Sequence, residues 1–189
     1  MLLLLTVSAI VSFSPFVSTR SRVDSTLETL KPKEITISTP SIKVQPLNIK
    51  LKDHHAFLDA IGHQESGNRY KVVNRFGYMG KYQFGKTTLE YLKIISDPKV
   101  YLNSPGLQEE AMQRLLVANK KSLRKVIKKH AGTIHRGIII TESGLLAAAH
   151  LGGAGSVKRY FRTGKVKHDG NGMKITTYME KFSGYSLDL

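Results

Sequence analysis

From Leu51 to the C-terminus, apolar residues recur every three or four positions, and glycines fall where that spacing breaks. This period puts the apolar side chains on one face of a helix, whereas a strand would bury every second residue. A chain so patterned folds as helices joined by glycine-bearing loops. The first helix is expected at about Asp53–Ser66: Phe57, Ile61 and Glu65 stand at i, i+4 and i+8 with Ala60 beside them, and Gly67 is a natural stop. A second, at about Lys86–Ser96, carries Leu89, Leu92 and Ile95. Ser104-Pro105 opens a third, with proline at the first helical position. Its apolar stripe of Leu107, Ala111, Leu115 and Leu116 runs on towards Leu123–Ile127. Thr141 caps an Ala-rich helix through about His150, and Gly152-Gly153-Ala154-Gly155 breaks the chain after it. Helices near Ser156–Arg162 and Ile175–Phe182 come next, separated by a loop over Gly164–Gly172. No strand ladder and no internal repeat stands out, so the expected fold class is mainly α.

The segment before Leu51 has a different character. Leu2–Val11, inside Met1–Val17, is apolar but short for a membrane span, and Pro15 keeps it from extending as a helix. It fits the apolar region of a secretory signal, so residues 1-18 are expected to be a signal peptide or an N-terminal anchor, with export to periplasm, envelope or medium. No Lys or Arg precedes the apolar run, and small residues near Ser14–Thr19 stand in for an Ala-x-Ala site. Residues 19-50 are rich in Ser, Thr, Pro and Lys, with Pro32, Pro40 and Pro46 along them, which is the composition of an extended linker. Residues 51-189 then form the domain.

Cysteine is absent, which excludes disulfides, a thiol nucleophile, Cys-ligated zinc and a lipid-modified cysteine anchor. Stability must come from a core, and 41% hydrophobic residues suffice for one. The formal net charge of +15 predicts attraction to an anionic polymer: nucleic acid, anionic lipid or an acidic cell wall.

Among the chemistry-bearing residues Glu65 comes first. A carboxylate on an apolar stripe must pair, stay protonated or face a cleft. In the last turn of its helix the dipole also disfavours the ionised form. A Glu kept protonated in this way suits a general acid at a glycosidic oxygen; the plain alternative is a salt bridge to Arg69 or a lysine. The same tripeptide recurs as Glu142-Ser143-Gly144. There the Glu sits in the first turn after the Thr141 cap, where the dipole favours the anion, so a structural role is expected.

The stretch Gly77–Gly85 sets aromatics and Gln83 among glycines. Aromatic faces and amides are the usual means of gripping sugars, although Tyr82 or Phe84 would serve equally as core. Gly80–Thr87 satisfies the phosphate-loop pattern letter by letter, but Val72–Phe76 is too short and polar for the strand such a loop requires. Gly152–Gly155 lacks the spacing of a dinucleotide site. Asp169-Gly170-Asn171-Gly172 lacks the later ligands of a calcium loop and reads as a turn. His54, His55, His63, His130, His135 and His150 show no paired metal spacing on one helix, so neither metal nor cofactor is expected.

The order of these pieces resembles the lysozyme-like lytic transglycosylase family. That family carries a catalytic Glu-Ser at a helix end, then Gly-Leu-Met-Gln, then Ala-Tyr-Asn-Ala-Gly, then Glu-Thr-x-x-Tyr. Here Glu65-Ser66 precedes Gly80-Lys81-Tyr82-Gln83-Phe84, then Ala148-Ala149-His150-Leu151-Gly152 with Val157-Lys158-Arg159-Tyr160, then Lys174-Ile175-Thr176-Thr177-Tyr178. The resemblance spans roughly Phe57–Phe182. Lys81-Tyr82 stand for Leu-Met, His150 for Asn and Lys174-Ile175 for Glu-Thr, departures that bear on substrate detail. The resemblance implies a goose-type lysozyme fold and cleavage of the bond between N-acetylmuramic acid and N-acetylglucosamine. Glu65 would act as acid and then as base, giving a 1,6-anhydro product. It implies that Ser66 orients the Glu or the acetamido group, that Tyr82, Gln83, His150 and Tyr178 line the sugar groove, and that peptidoglycan strands are the partner. A single carboxylate suffices if the substrate's own acetamido group stabilises the cationic intermediate.

Three rivals stand beside this reading. One is a hydrolase of the same fold, a muramidase or chitin-type glycosidase. Another is an inactive peptidoglycan-binding envelope protein. The third is a nucleic-acid binder, suggested by Lys120–Lys129; cations recur there around much of the helix, as on a solvated face, and export opposes it, so no nucleic acid is expected. Membrane association would come only through the N-terminal segment.

Overall fold

The computed structural model describes residues 52–94 and 97–189. The apolar N-terminal stretch and the 19-50 linker lie outside these residues. The described chain is mainly helical: α1 (His54–Ser66), α2 (Lys86–Tyr91), α3 (Pro98–Asn103), α4 (Pro105–His130), α5 (Glu142–Gly152), α6 (Ala154–Thr163) and α7 (Ile175–Lys181). A two-residue antiparallel pair, β1 (Ile134–His135) and β2 (Ile138–Ile139), joins α4 to α5. Among the described residues no helix is long and apolar enough to cross a membrane.

The centre of the domain is α5. Its residues Ser143–Ala149 are all buried, and it packs against α4, α6 and α7. The three consecutive alanines suit that position, since short side chains let neighbouring helices approach on every side. Thr141 caps it as expected, accepting from the Gly144 N–H at 3.1 Å. α1 joins the core through Phe57 and Ile61, both fully buried, with Phe57 edge-on to Phe182 and Tyr185. Asp53 caps this helix by accepting from the Ala56 N–H, and Gly67 ends it in the left-handed region at φ 67°.

Three elements depart from the sequence reading. The second helix stops at Tyr91 because Lys93 turns left-handed at φ 58°, while the Arg114 guanidinium donates to the freed Leu92 carbonyl at 2.9 Å. α3 is an additional helix, opened by an Asp97 cap on the Lys99 N–H and by Pro98 at its start. The β1–β2 hairpin is also additional. Arg136 and Gly137 take φ 51° and 83° between the strands, the two left-handed residues that a tight two-residue hairpin needs.

The loop between α1 and α2 folds on itself through bridges Val73–Met79 and Met79–Phe84. Gln108 of α4, wholly buried, fastens it. Its amide oxygen accepts from the Lys81 N–H at 2.8 Å, and its amide nitrogen donates to the Tyr70 and Tyr101 carbonyls at 3.0 and 2.9 Å.

Candidate active site

A cleft of about 710 Å³ opens over the end of α1, with walls from the folded loop, α2, α4, the start of α6 and the turn before α7. That size is ordinary for a ligand site. Glu65 lies on it with its side chain 16% exposed. Tyr178 of α7 donates its hydroxyl to Glu65 Oε1 at 2.7 Å, and His150 Nε2 at the end of α5 stands 3.6 Å from the same oxygen. Both neighbours converge on Oε1.

Both neighbours are rigid. Tyr178 is almost wholly buried and tilted against Phe182, and burial together with the Glu65 charge raises its pKa, so it remains a donor. The His150 side chain is only 7% exposed and meets the Phe84 ring edge-on. Burial lowers its pKa against the opposing pull of Glu65, so near neutral pH the ring is uncharged. Its Nδ1 is enclosed, with no partner in hydrogen-bond geometry among the described residues.

The residues expected around a sugar divide three ways. Gln83 and His150 line the cleft. Gln83 holds φ 51° and donates its amide to the Gly80 carbonyl at 2.8 Å, which leaves its oxygen for other work. Tyr178 reaches Glu65 from within the core and is absent from the cleft wall. Ser66 and Tyr82 are corrections to the sequence reading. Ser66 turns inward, donating to the Lys81 carbonyl at 2.8 Å and accepting from the Arg69 N–H at 3.0 Å, so it ties α1 to the loop instead of orienting the Glu. Tyr82 is wholly buried and donates to Glu109 Oε2 at 2.5 Å. Tyr70 and Lys81 bind the other oxygen of Glu109 at 2.6 and 3.0 Å. Burial alone would raise the Glu109 pKa; these three donors outweigh it and hold it below its ordinary value.

Glu142 bonds Lys120 at 2.9 Å, the structural part expected for it. The phosphate-loop match is a tight turn in an α protein, and its Lys86 is exposed beside Glu90. The Asp169 segment is a turn, with Asp169 Oδ1 accepting from the Asn171 and Met173 N–H groups at 2.9 and 2.7 Å. Among the described residues no three ligating side chains converge as a metal site.

Several cleft residues escaped the sequence reading. Phe76, Tyr78 and Tyr91 are 53%, 44% and 70% exposed, so three aromatic rings face solvent along the cleft. Tyr78 stood in the glycine-rich stretch already marked for sugar contact; Phe76 lies just outside it, and nothing in a short helix announced Tyr91. Asn119 and Ser122 of α4 and Asp169 also line the cleft. Comparisons with protein-family models, with curated proteins and with solved structures find no match to this chain.

Proposed function

We propose that this protein is an exported lytic transglycosylase on a lysozyme-like helical domain, cleaving the glycan strands of peptidoglycan with Glu65 as its one acid and base. The observation that carries the reading is the Glu65 carboxyl in the cleft, with one oxygen held by Tyr178 and flanked by neutral His150. The ordered family motifs and the exposed rings of Phe76, Tyr78 and Tyr91, flat surfaces suited to sugar faces, support it. Glu65 gives its proton to the bridging oxygen as the bond from that oxygen to C1 of the muramic sugar breaks. The acetamido oxygen of that sugar closes on C1 and carries the developing charge. The 6-hydroxyl oxygen then displaces it, its proton passes to Glu65, and the anhydro product leaves without consuming water.

One observation favours a second reading, hydrolysis. Asp169 is the other carboxylate on the cleft wall, a candidate base for a water in a two-carboxylate mechanism. Its Oδ1 is occupied by two backbone donors, which favours the turn-forming role.

Purified sacculi digested by wild type, Glu65→Gln and Asp169→Asn, read by mass spectrometry, test both. Wild type and Asp169→Asn should release anhydro muropeptides, each one water lighter than a hydrolysis product, and Glu65→Gln none. Equal digestion by wild type and Glu65→Gln would sink the assignment.

A further inference from the structure

The cleft continues into a band of unpaired cations. On α4, Ala118 and Ser122 line the cleft, and Lys125 and Lys129 follow them at i+7 and i+11 from Ala118, on the same face. On α6, Ala154 lines the cleft, and Lys158 and Arg162 follow at i+4 and i+8. The two faces adjoin: Lys158 donates to the Ser122 hydroxyl at 2.9 Å, and farther along His130 stacks on Phe161 with ring centroids 4.4 Å apart. Lys125, Lys129, Lys158 and Arg162 are all exposed, and none is ion-paired with any described residue. An uncompensated row of charge beginning at a cleft wall is costly to itself and is relieved by an anionic ligand that runs out of the cleft.

Where the lactyl carboxyl of each muramic residue is joined to a peptide as an amide, the glycan strand itself is neutral. The charge of peptidoglycan lies in the carboxylates of the peptides hanging from its muramic residues. Resting on the reading of the cleft as a peptidoglycan site, we propose that the α4–α6 band binds these peptide carboxylates, so that the protein holds strands with free peptide carboxylates more tightly than strands whose carboxylates are amidated. Continuity with the cleft is what favours this ligand over nucleic acid, which would need no adjoining sugar groove.

The test uses the full chain carrying Glu65→Gln, which binds without cutting, cosedimented with intact sacculi and with sacculi whose carboxylates have been converted to amides with carbodiimide and ammonia. Replacing Lys125, Lys129, Lys158 and Arg162 together by Glu should weaken retention on intact sacculi roughly tenfold or more at low salt, and the corresponding Gln set should fall between. Retention on amidated sacculi should be the same for all three chains, which also reports that each is folded. Unchanged retention on intact sacculi, an equal loss on amidated ones, or tighter retention on duplex DNA than on sacculi at the same salt would each overturn the proposal. Digestion by the chain with Glu65 intact is scored separately: no digestion, with carboxylate-dependent retention preserved, would remove the catalytic reading and leave the band standing.

Discussion

Glu65-Ser66-Gly67 and Glu142-Ser143-Gly144 are the same three residues at opposite ends of two helices. The serines behave alike: each is buried and ties its helix to a distant segment, Ser66 to the Lys81 carbonyl and Ser143 to the Tyr185 N–H. The glycines do not. Gly67 supplies a left-handed turn with open space around it, whereas Gly144 is helical and lies against the Met179 carbonyl. The glutamates differ most. Glu142 meets the ammonium of Lys120 at 2.9 Å beside its own helix N-terminus. Glu65 meets a hydroxyl and a neutral imidazole and, among the described residues, no cation. A tripeptide does not specify a function; the helix end it occupies and the charge of its neighbours do.

The largest expected contrast is in activity. Glu65→Gln should abolish release of muropeptides, a loss of about a thousandfold or more if Glu65 is both acid and base. Glu142→Gln should leave release within about twofold and lower stability by about 1 kcal/mol, since its pair is partly exposed. Digestion rates and thermal melts of the two variants measure this, and comparable losses of activity would erase the distinction.

The glycines give the next contrast. Gly144→Ala forces a Cβ against backbone that cannot move aside and should destabilise by about 2–3 kcal/mol. Gly67→Ala meets no neighbour and costs only the left-handed conformation, about 1 kcal/mol. Denaturant midpoints of the two should differ in that order.

The helical skeleton was legible because its boundaries are local chemistry: Asp53 and Thr141 cap, Pro105 opens and Gly67 closes, each within a turn of the residues affected. α3 and the β1–β2 hairpin were less so. Two-residue strands leave no period to read, and Arg136-Gly137 is a weaker hairpin signal than Asn-Gly. In the site, Glu65 was legible as an anomaly on an apolar stripe. The inward turn of Ser66 and Tyr82 was not, because their partners, the Lys81 carbonyl and Glu109, are brought to them by the loop fold and by α4. Nor could the sequence show that Tyr178, 113 positions away, would reach Glu65.

That long-range contact yields a smaller effect. Tyr178→Phe removes the donor on Oε1 and keeps the buried ring. A hydrogen bond to a carboxylate is worth about 1.5 kcal/mol, so kcat should fall about tenfold. KM should stay near its wild-type value, because Tyr178 does not line the cleft. A raised KM with kcat intact would place Tyr178 on the substrate instead.

The smallest effect concerns His150, the neighbour that has no counterpart at Glu142. Burial lowers its pKa in the folded chain, so below the ordinary value of about 6.5 the unfolded chain binds more protons than the folded one. Stability should therefore fall as pH drops through that region and be fully kept above it. His130 contributes in the same direction, its pKa lowered by burial and by Lys129 and His135, so wild type alone cannot isolate His150. The readout is the difference between wild type and His150→Gln in thermal midpoint from neutral to mildly acid pH. The Gln chain should lose less stability on acidification. Parallel curves would mean that the imidazole accepts a proton in place, and the neutral neighbour that sets Glu65 apart from Glu142 would become a cation like Lys120.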